Sequence, residues 1–200
     1  QTWALPILIF WYGYRRCGRA DVFRMAEAMT RHTSEVDVFH VGQFKGFGTR
    51  HGVQHWGDSS KQPRVSNAAF KRFYYYLTAD ERTGDLMRDL VNSDETLKTV
   101  YIERKVATAG GSGIGIRERV AGTVDCSFGT SWASFVAAWL TEWERTGDTR
   151  WRDRILVGMN SIAKLKYGWF CGGAPYDLKT GKFVGPGDKV DVSHLKAVFG

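Results

Sequence analysis

Residues 130–163 read TSWASFVAAWLTEWERTGDTRWRDRILVGMNSIA. Thr130 to Arg145 carries apolar side chains at helical spacing, Thr146-Gly147-Asp148 interrupts it, and Ile155, Met159 and Ile162 resume it on the far side. Glycine takes the left-handed conformation that ends one helix, and the aspartate after it caps the next. The stretch therefore predicts two antiparallel helices joined by a tight turn.

Two other stretches follow the same plan. Toward the amino end, Leu5, Leu8, Ile9 and Tyr12 share a face, Cys17-Gly18-Arg19 makes the turn, and Val22, Met25, Ala26 and Met29 line the return face. Between them, Val65 to Leu77 runs into Thr78-Ala79-Asp80, and the return helix directs Leu86, Met87, Leu90 and Val91 inward. Ala79 stands where the other turns have glycine. If it holds a positive φ, it costs on the order of 1 kcal/mol relative to Gly. A register that used Gly84 instead would shorten the return helix.

The turn positions Gly18, Ala79 and Gly147 lie about 60 to 70 residues apart, longer than a tetratricopeptide or ankyrin unit. The excess falls in two connections, roughly residues 32–64 and 97–129. Helical hairpins joined by long connections predict an all-α fold, a partial α/α toroid of about half an (α/α)6 ring in one domain, 1–200. Its short turns would lie at one rim and its long loops would build a funnel at the other. An open α-solenoid is the alternative that the repeat alone leaves standing.

At 200 residues, 43% hydrophobic and 14% aromatic, the chain has enough apolar surface for a sizeable core. A net charge of +7 suggests an anionic partner. The basic residues are scattered, with no block of five or six, which argues against nucleic acid and membrane surfaces. Eight Trp, eight Tyr and twelve Phe suit the faces of sugar rings, so an acidic polysaccharide or oligosaccharide is the expected partner. Cys17, Cys126 and Cys171 are odd in number and form no CxxC pair, so neither a disulfide framework nor a zinc site is read from them. The apolar run from Trp3 to Tyr12 is too short to span a bilayer and lacks the features of a signal peptide. The chain opens almost inside an apolar helix and stops at SHLKAVFG, where Ser193 reads as the cap of a helix barely begun; the expectation is a piece of a larger protein.

The connection after the first hairpin, Arg31 to Trp56 (RHTSEVDVFHVGQFKGFGTRHGVQHW), holds four of the five histidines. Long connections of this composition are usually functional. Arg31, His32, Glu35, Asp37 and His40 form one constellation: Glu35 could hold His32 or an arginine, and His40 could act as acid or base. Equally, the group reads as a charge cluster at a helix end. Arg50, His51, His55 and Trp56 are the sharper signal. His51 and His55 stand four apart, but no HExxH glutamate lies between them and Gly52 and Gly57 disfavour a helix, so no metal or other cofactor is expected. Arg50 suits a carboxylate, Trp56 a stacking platform, and either histidine a proton.

Tyr74, Tyr75 and Tyr76 span about 200° of helix, so at least one faces away from the core. Wall or core packing is the reading for two of the three. Gly110 to Gly115 fits no phosphate-binding pattern and reads as a flexible loop. Trp132, Trp139, Trp143 and Trp151 read as helical core; Trp169, with Tyr167 and Phe170 beside a Gly-Gly pair, reads as a second part of the funnel.

RHTSEVDVFH, GTRHGVQHW, FYYYLTADERTGDLMRDLV, WLTEWERTGD and SHLKAVFG resemble the central α/α-toroid domain of exo-acting rhamnogalacturonan lyases and their bacterial relatives of unknown specificity. The similarity runs along nearly the whole chain, with the Gly110 to Val120 region fitting poorly. The resemblance implies flanking β-rich domains in the parent protein and β-elimination at a galacturonic-acid residue of pectin. Its substrate class implies an extracellular or periplasmic location.

Such a reaction needs a group to neutralise the uronate, a base for the C5 proton, and an acid for the departing oxygen. By side-chain chemistry Arg50 suits the first task, His51 or His55 the second, and one of Tyr74, Tyr75 and Tyr76 the third. Arg31, His32, Glu35, His40, Trp56 and Trp169 are the candidate substrate-binding residues. Two other functions compete. A glycoside hydrolase on this scaffold would need two carboxylates, with Glu35, Asp37 and Asp58 as candidates. A noncatalytic helical-repeat binding module would need no proton chemistry.

Overall fold

The computed structural model describes residues 4–49, 61–100 and 122–191. Their helices pair as α1 (Ala4–Cys17) with α2 (Ala20–Arg31), α3 (Ala68–Thr78) with α4 (Glu81–Arg88), and α5 (Ala133–Thr146) with α6 (Thr149–Ala163). All three hairpin turns use one device. The residue after each first helix is left-handed, at φ 65° for Gly18, 56° for Ala79 and 71° for Gly147. In each, its N–H donates to the carbonyl four residues back, at Tyr14, Tyr75 and Trp143. Asp80 and Asp148 then cap α4 and α6 by accepting from the backbone N–H of Thr83 and Arg150. Ala79 therefore does hold the conformation that favours glycine, and Gly84 lies inside α4.

Two helices begin later than their apolar spacing suggests. A 3₁₀ turn, Pro63–Ser66, precedes α3, which starts where the Asn67 side chain accepts from the Ala69 N–H. A wide π turn, Phe128–Trp132, precedes α5. A small antiparallel sheet accompanies the helices: β3 (Val124–Ser127) pairs with β4 (Gly173–Asp177), and β4 with β5 (Lys182–Phe183). It buries Tyr176 and Phe183 against Phe128 and Trp132. Cys17, Cys126 and Cys171 are free thiols.

Apolar side chains gather in three clusters. Trp139, Phe135, Trp132, Ile162 and the sheet residues form the largest; Val38, Ala68, Met87, Leu90 and Ala138 form a second between α3 and α4; Ile7, Trp11, Ala26 and Tyr74 form a third between α1, α2 and α3. Leu86, Met87, Leu90 and Val91 are all buried, as the spacing implied.

The face of α1 differs from the expected one. Ile7 and Trp11 point inward, whereas Ile9 is 63% and Tyr12 51% exposed. Apolar residues surround this helix, so periodicity does not select a side. The large indole does: Trp11 is wholly buried and its N–H donates to Thr30 Oγ1. Met25 and Met159 are likewise exposed, while Ala26 and Ile162 are buried. In α6 the indole of Trp132 occupies the space over Gly158, which turns Met159 outward.

Candidate functional site

The carboxyl end of α2 is rich in hydroxyl side chains. Thr30, Thr33 and Ser34 each donate to a carbonyl one turn back, namely Ala26, Met29 and Thr30. Such bonds loosen a helix end, and the backbone widens here into a π turn, His32–Val36, closed by the Asp37 N–H donating to the His32 carbonyl at 3.1 Å. A bond to the residue five back stacks Asp37 over His32, which an α-helix would not do. The carboxylate Oδ1 of Asp37 lies 3.4 Å from His32 Nε2. The two side chains differ in surroundings: His32 is 41% exposed, Asp37 only 5%.

Lys71, on α3, has 1% of its surface exposed. Burial pushes its ammonium down to about 7, and the charge of Asp37 only partly opposes this. Its side chain lines a small, partly open cavity of about 10 Å³ together with His40, Lys45 and Asp89. His40 is held by its ring Nε2, which lies 3.1 Å from the Glu35 carbonyl.

Beside this group, Arg31 organises a second one. Its Nη2 donates to the Tyr74 hydroxyl at 2.8 Å, and that hydroxyl donates to Glu27 Oε1 at 2.6 Å. Glu35 and Asp80 lie 3.9 and 4.0 Å from the same guanidinium. Burial and the bond to Glu27 raise the Tyr74 phenol above its ordinary value, against the opposing effect of Arg31. Arg31, His32, Glu35, His40 and Tyr74 are thus brought together around the end of α2.

The other expected residues lie elsewhere. The Tyr75 ring sits under Arg145, whose guanidinium is 4.9 Å from the ring centroid, and against Gly84. Tyr76 is 53% exposed, in an open groove with Arg15, Arg72 and Leu77. Trp169, 39% exposed, packs on Phe128 and Trp132 at the edge of the largest apolar cluster, away from the end of α2. Arg50, His51, His55 and Trp56, like Gly110 to Gly115, lie outside the described residues.

The anchors of the segment carrying Arg50, His51 and His55 are nonetheless defined. β1 (Gly48–Thr49) pairs antiparallel with β2 (Lys61–Gln62), Thr49 opposite Lys61. Val38 bridges to Gly48, and a Cβ on Gly48 would come within 2.9 Å of the Asp37 carbonyl. Gly48 thus lies beside Asp37, paired with Gln62 across the two strands.

Lys71 is a residue whose spacing points inward although its type points to solvent. It falls three residues after Ala68 and three before Tyr74, both buried, so a lysine occupies an inward-facing position of α3. Among the described residues no cluster of three or more His, Cys, Asp or Glu is arranged to hold a metal, and no helix is long and apolar enough to cross a membrane.

Residues 4–200 match the family described as PcRGLX-like protein C-terminal alpha/alpha toroid domain. A Bacillus subtilis (strain 168) protein, "Uncharacterized protein YetA", is 42% identical over 161 residues, which cover 80% of this chain and 18% of that protein. The chain thus spans less than a fifth of the length of the curated relative it matches.

Proposed function

The chain belongs to the rhamnogalacturonan-lyase-like family of PcRGLX-like C-terminal α/α toroid domains, and from that premise we propose that its parent protein is a polysaccharide lyase. Its substrate is a uronic-acid-containing polysaccharide of the rhamnogalacturonan or pectin type, met outside the cytoplasm. In the reaction the C5 proton passes to a base, and its electron pair forms the C4–C5 double bond. The C4–O bond breaks as an acid protonates the leaving oxygen. Arg50 neutralises the uronate, His51 or His55 is the base, and of the three tyrosines Tyr74, which joins the Arg31 group, is the acid. Arg31, His32, Glu35, His40 and Trp56 hold the sugar chain.

The single observation that supports this reading is the gathering of Arg31, His32, Glu35, His40 and Tyr74 around the end of α2. The test is to incubate the full-length protein with rhamnogalacturonan and homogalacturonan and follow ultraviolet absorbance of unsaturated uronate. A rise supports elimination. New reducing ends without absorbance mean hydrolysis, and binding with no new ends means a noncatalytic module; either result discards the lyase reading.

A further inference from the structure

We propose that the open groove on the far side of α3 from Tyr74 is a second, noncatalytic site for the acidic sugar chain, where Arg15 pairs with a uronate carboxylate and Tyr76 carries a sugar face. The ligand class rests on the lyase reading; the groove does not. It measures about 610 Å³ and is lined by Arg15, Arg72, Phe73, Tyr76, Leu77 and Glu144, a volume in the range of small-ligand sites. Two residues along a helix turn it by about 200°. Tyr74, 4% exposed, therefore meets Arg31 and Glu27, while Tyr76 opens into the groove.

The walls are fixed by contacts of their own. Phe73 stacks on the wholly buried Trp11, ring centroids 6.4 Å apart, and meets Tyr12 edge to face at 5.6 Å. Tyr76 stands edge-on to Tyr75 at 5.2 Å, and the Arg145 guanidinium lies 4.9 Å from the Tyr75 ring centroid. Little ordering is left for a ligand to impose. Arg72 Nη1 donates to both carboxylate oxygens of Glu144, at 3.0 and 3.2 Å, so these two charges cancel inside the groove. Arg15, exposed in the last turn of α1, has no acidic partner among the described residues. The groove thus carries one uncompensated positive charge beside two aromatic rings.

An acidic sugar answers both features. A pyranose presents an apolar face of C–H groups to an aromatic ring, and a uronate adds the carboxylate that a guanidinium takes. Arg72 and Glu144 offer its hydroxyls a donor and an acceptor side by side. An acidic peptide would use the same arginine, but it brings no rigid apolar face for Tyr76 and few hydroxyls for Glu144.

The experiment is hydroxyl-radical footprinting of the full-length protein, read by mass spectrometry at Tyr76 and Leu77. Saturating galacturonate trisaccharide should slow oxidation of both several-fold, and a neutral galactose trisaccharide should not. Arg15→Gln should raise the concentration giving half-protection roughly 10-fold. Leu77→Asp, which sets a carboxylate at an exposed position of the groove, should abolish protection. Both substitutions fall on exposed side chains and leave the core intact. Equal protection by the neutral sugar or by triglutamate, protection unaltered in Arg15→Gln, or a Tyr76 already unreactive without ligand because another part of the parent protein covers it, would each overturn the proposal.

A second measurement separates this site from the lyase reading. In an active enzyme, Arg15→Gln should raise the ratio of KM for polymeric rhamnogalacturonan to KM for a short oligosaccharide several-fold; an unchanged ratio overturns the proposal. A wild type that forms no unsaturated product removes the lyase reading instead, and footprinting at Tyr76 still decides the groove.

Discussion

Ala79→Gly should stabilise the domain. Ala79 sits at φ 56°, ψ 31°, where an L side chain crowds the following carbonyl at a cost of about 1–2 kcal/mol. Glycine escapes that cost but loses more backbone freedom on folding, worth about 0.5–1 kcal/mol against it. Nothing else changes: residue 79 is exposed, and its N–H keeps the 2.8 Å bond to the Tyr75 carbonyl. The net expectation is a gain of about 0.5–1 kcal/mol. For a unit of this size that is a rise of about 1–4 °C in melting temperature. Gly147→Ala supplies the mirror experiment, since a Cβ there meets nothing within 4 Å and φ is 71°. It should destabilise by a similar amount. Thermal or urea unfolding of both variants reads the two changes directly. If Ala79→Gly lowers stability while Gly147→Ala is neutral, the left-handed turn is not where these hairpins store strain.

Three further outcomes follow from the interior. Gly158→Ala places a methyl 2.6 Å from Trp132 Cζ2, beneath a ring that is 4% exposed; overpacking should outweigh the better helix propensity, for a loss of about 1–2 kcal/mol in urea unfolding. Arg154→Met removes the 2.5 Å partner of Asp94, a side chain only 3% exposed, and should cost about 3–5 kcal/mol at pH 7. Burial already raises the Asp94 carboxyl above its ordinary value, so this loss should shrink as pH falls and the unpaired acid takes up a proton. Lys71→Met should stabilise, because the folded value of about 7 lies below the unfolded 10.5. The unfolded chain then binds more protons between those limits, so the wild-type penalty is absent above 10.5, grows as pH falls, and is complete near and below 7 at about 4–5 kcal/mol. Melting curves at pH 7 and pH 10.5 should show the gain at the first and almost none at the second.

The hairpins were legible because their punctuation is local chemistry. Gly18 and Gly147 mark left-handed ends and Asp80 and Asp148 mark caps, each within a few residues of the turn. What the spacing did not carry was orientation on helices with apolar residues all round. In α1 the choice between the Ile9–Tyr12 face and the Ile7–Trp11 face is made by the bond from Trp11 to Thr30, nineteen residues away. The small sheet was illegible for a related reason: β3 pairs with β4 across some fifty residues, with register set by Cys126 opposite Ala174 rather than by a hairpin turn.

The polar groups around α2 divide the same way. Arg31, His32, Glu35 and His40 could be picked out by composition, because ionisable residues concentrated after a helix end are unusual in themselves. Their partners could not. Tyr74 belongs to the Arg31 group through a contact forty-three residues away in sequence, and Tyr75 and Tyr76, its neighbours in the chain, face Arg145 and solvent instead. Lys71 was hidden by its type. A lysine among aromatic residues reads as the solvated side of a helix, since ammonium groups are seldom buried. A fold that nevertheless encloses one gives up stability at that point.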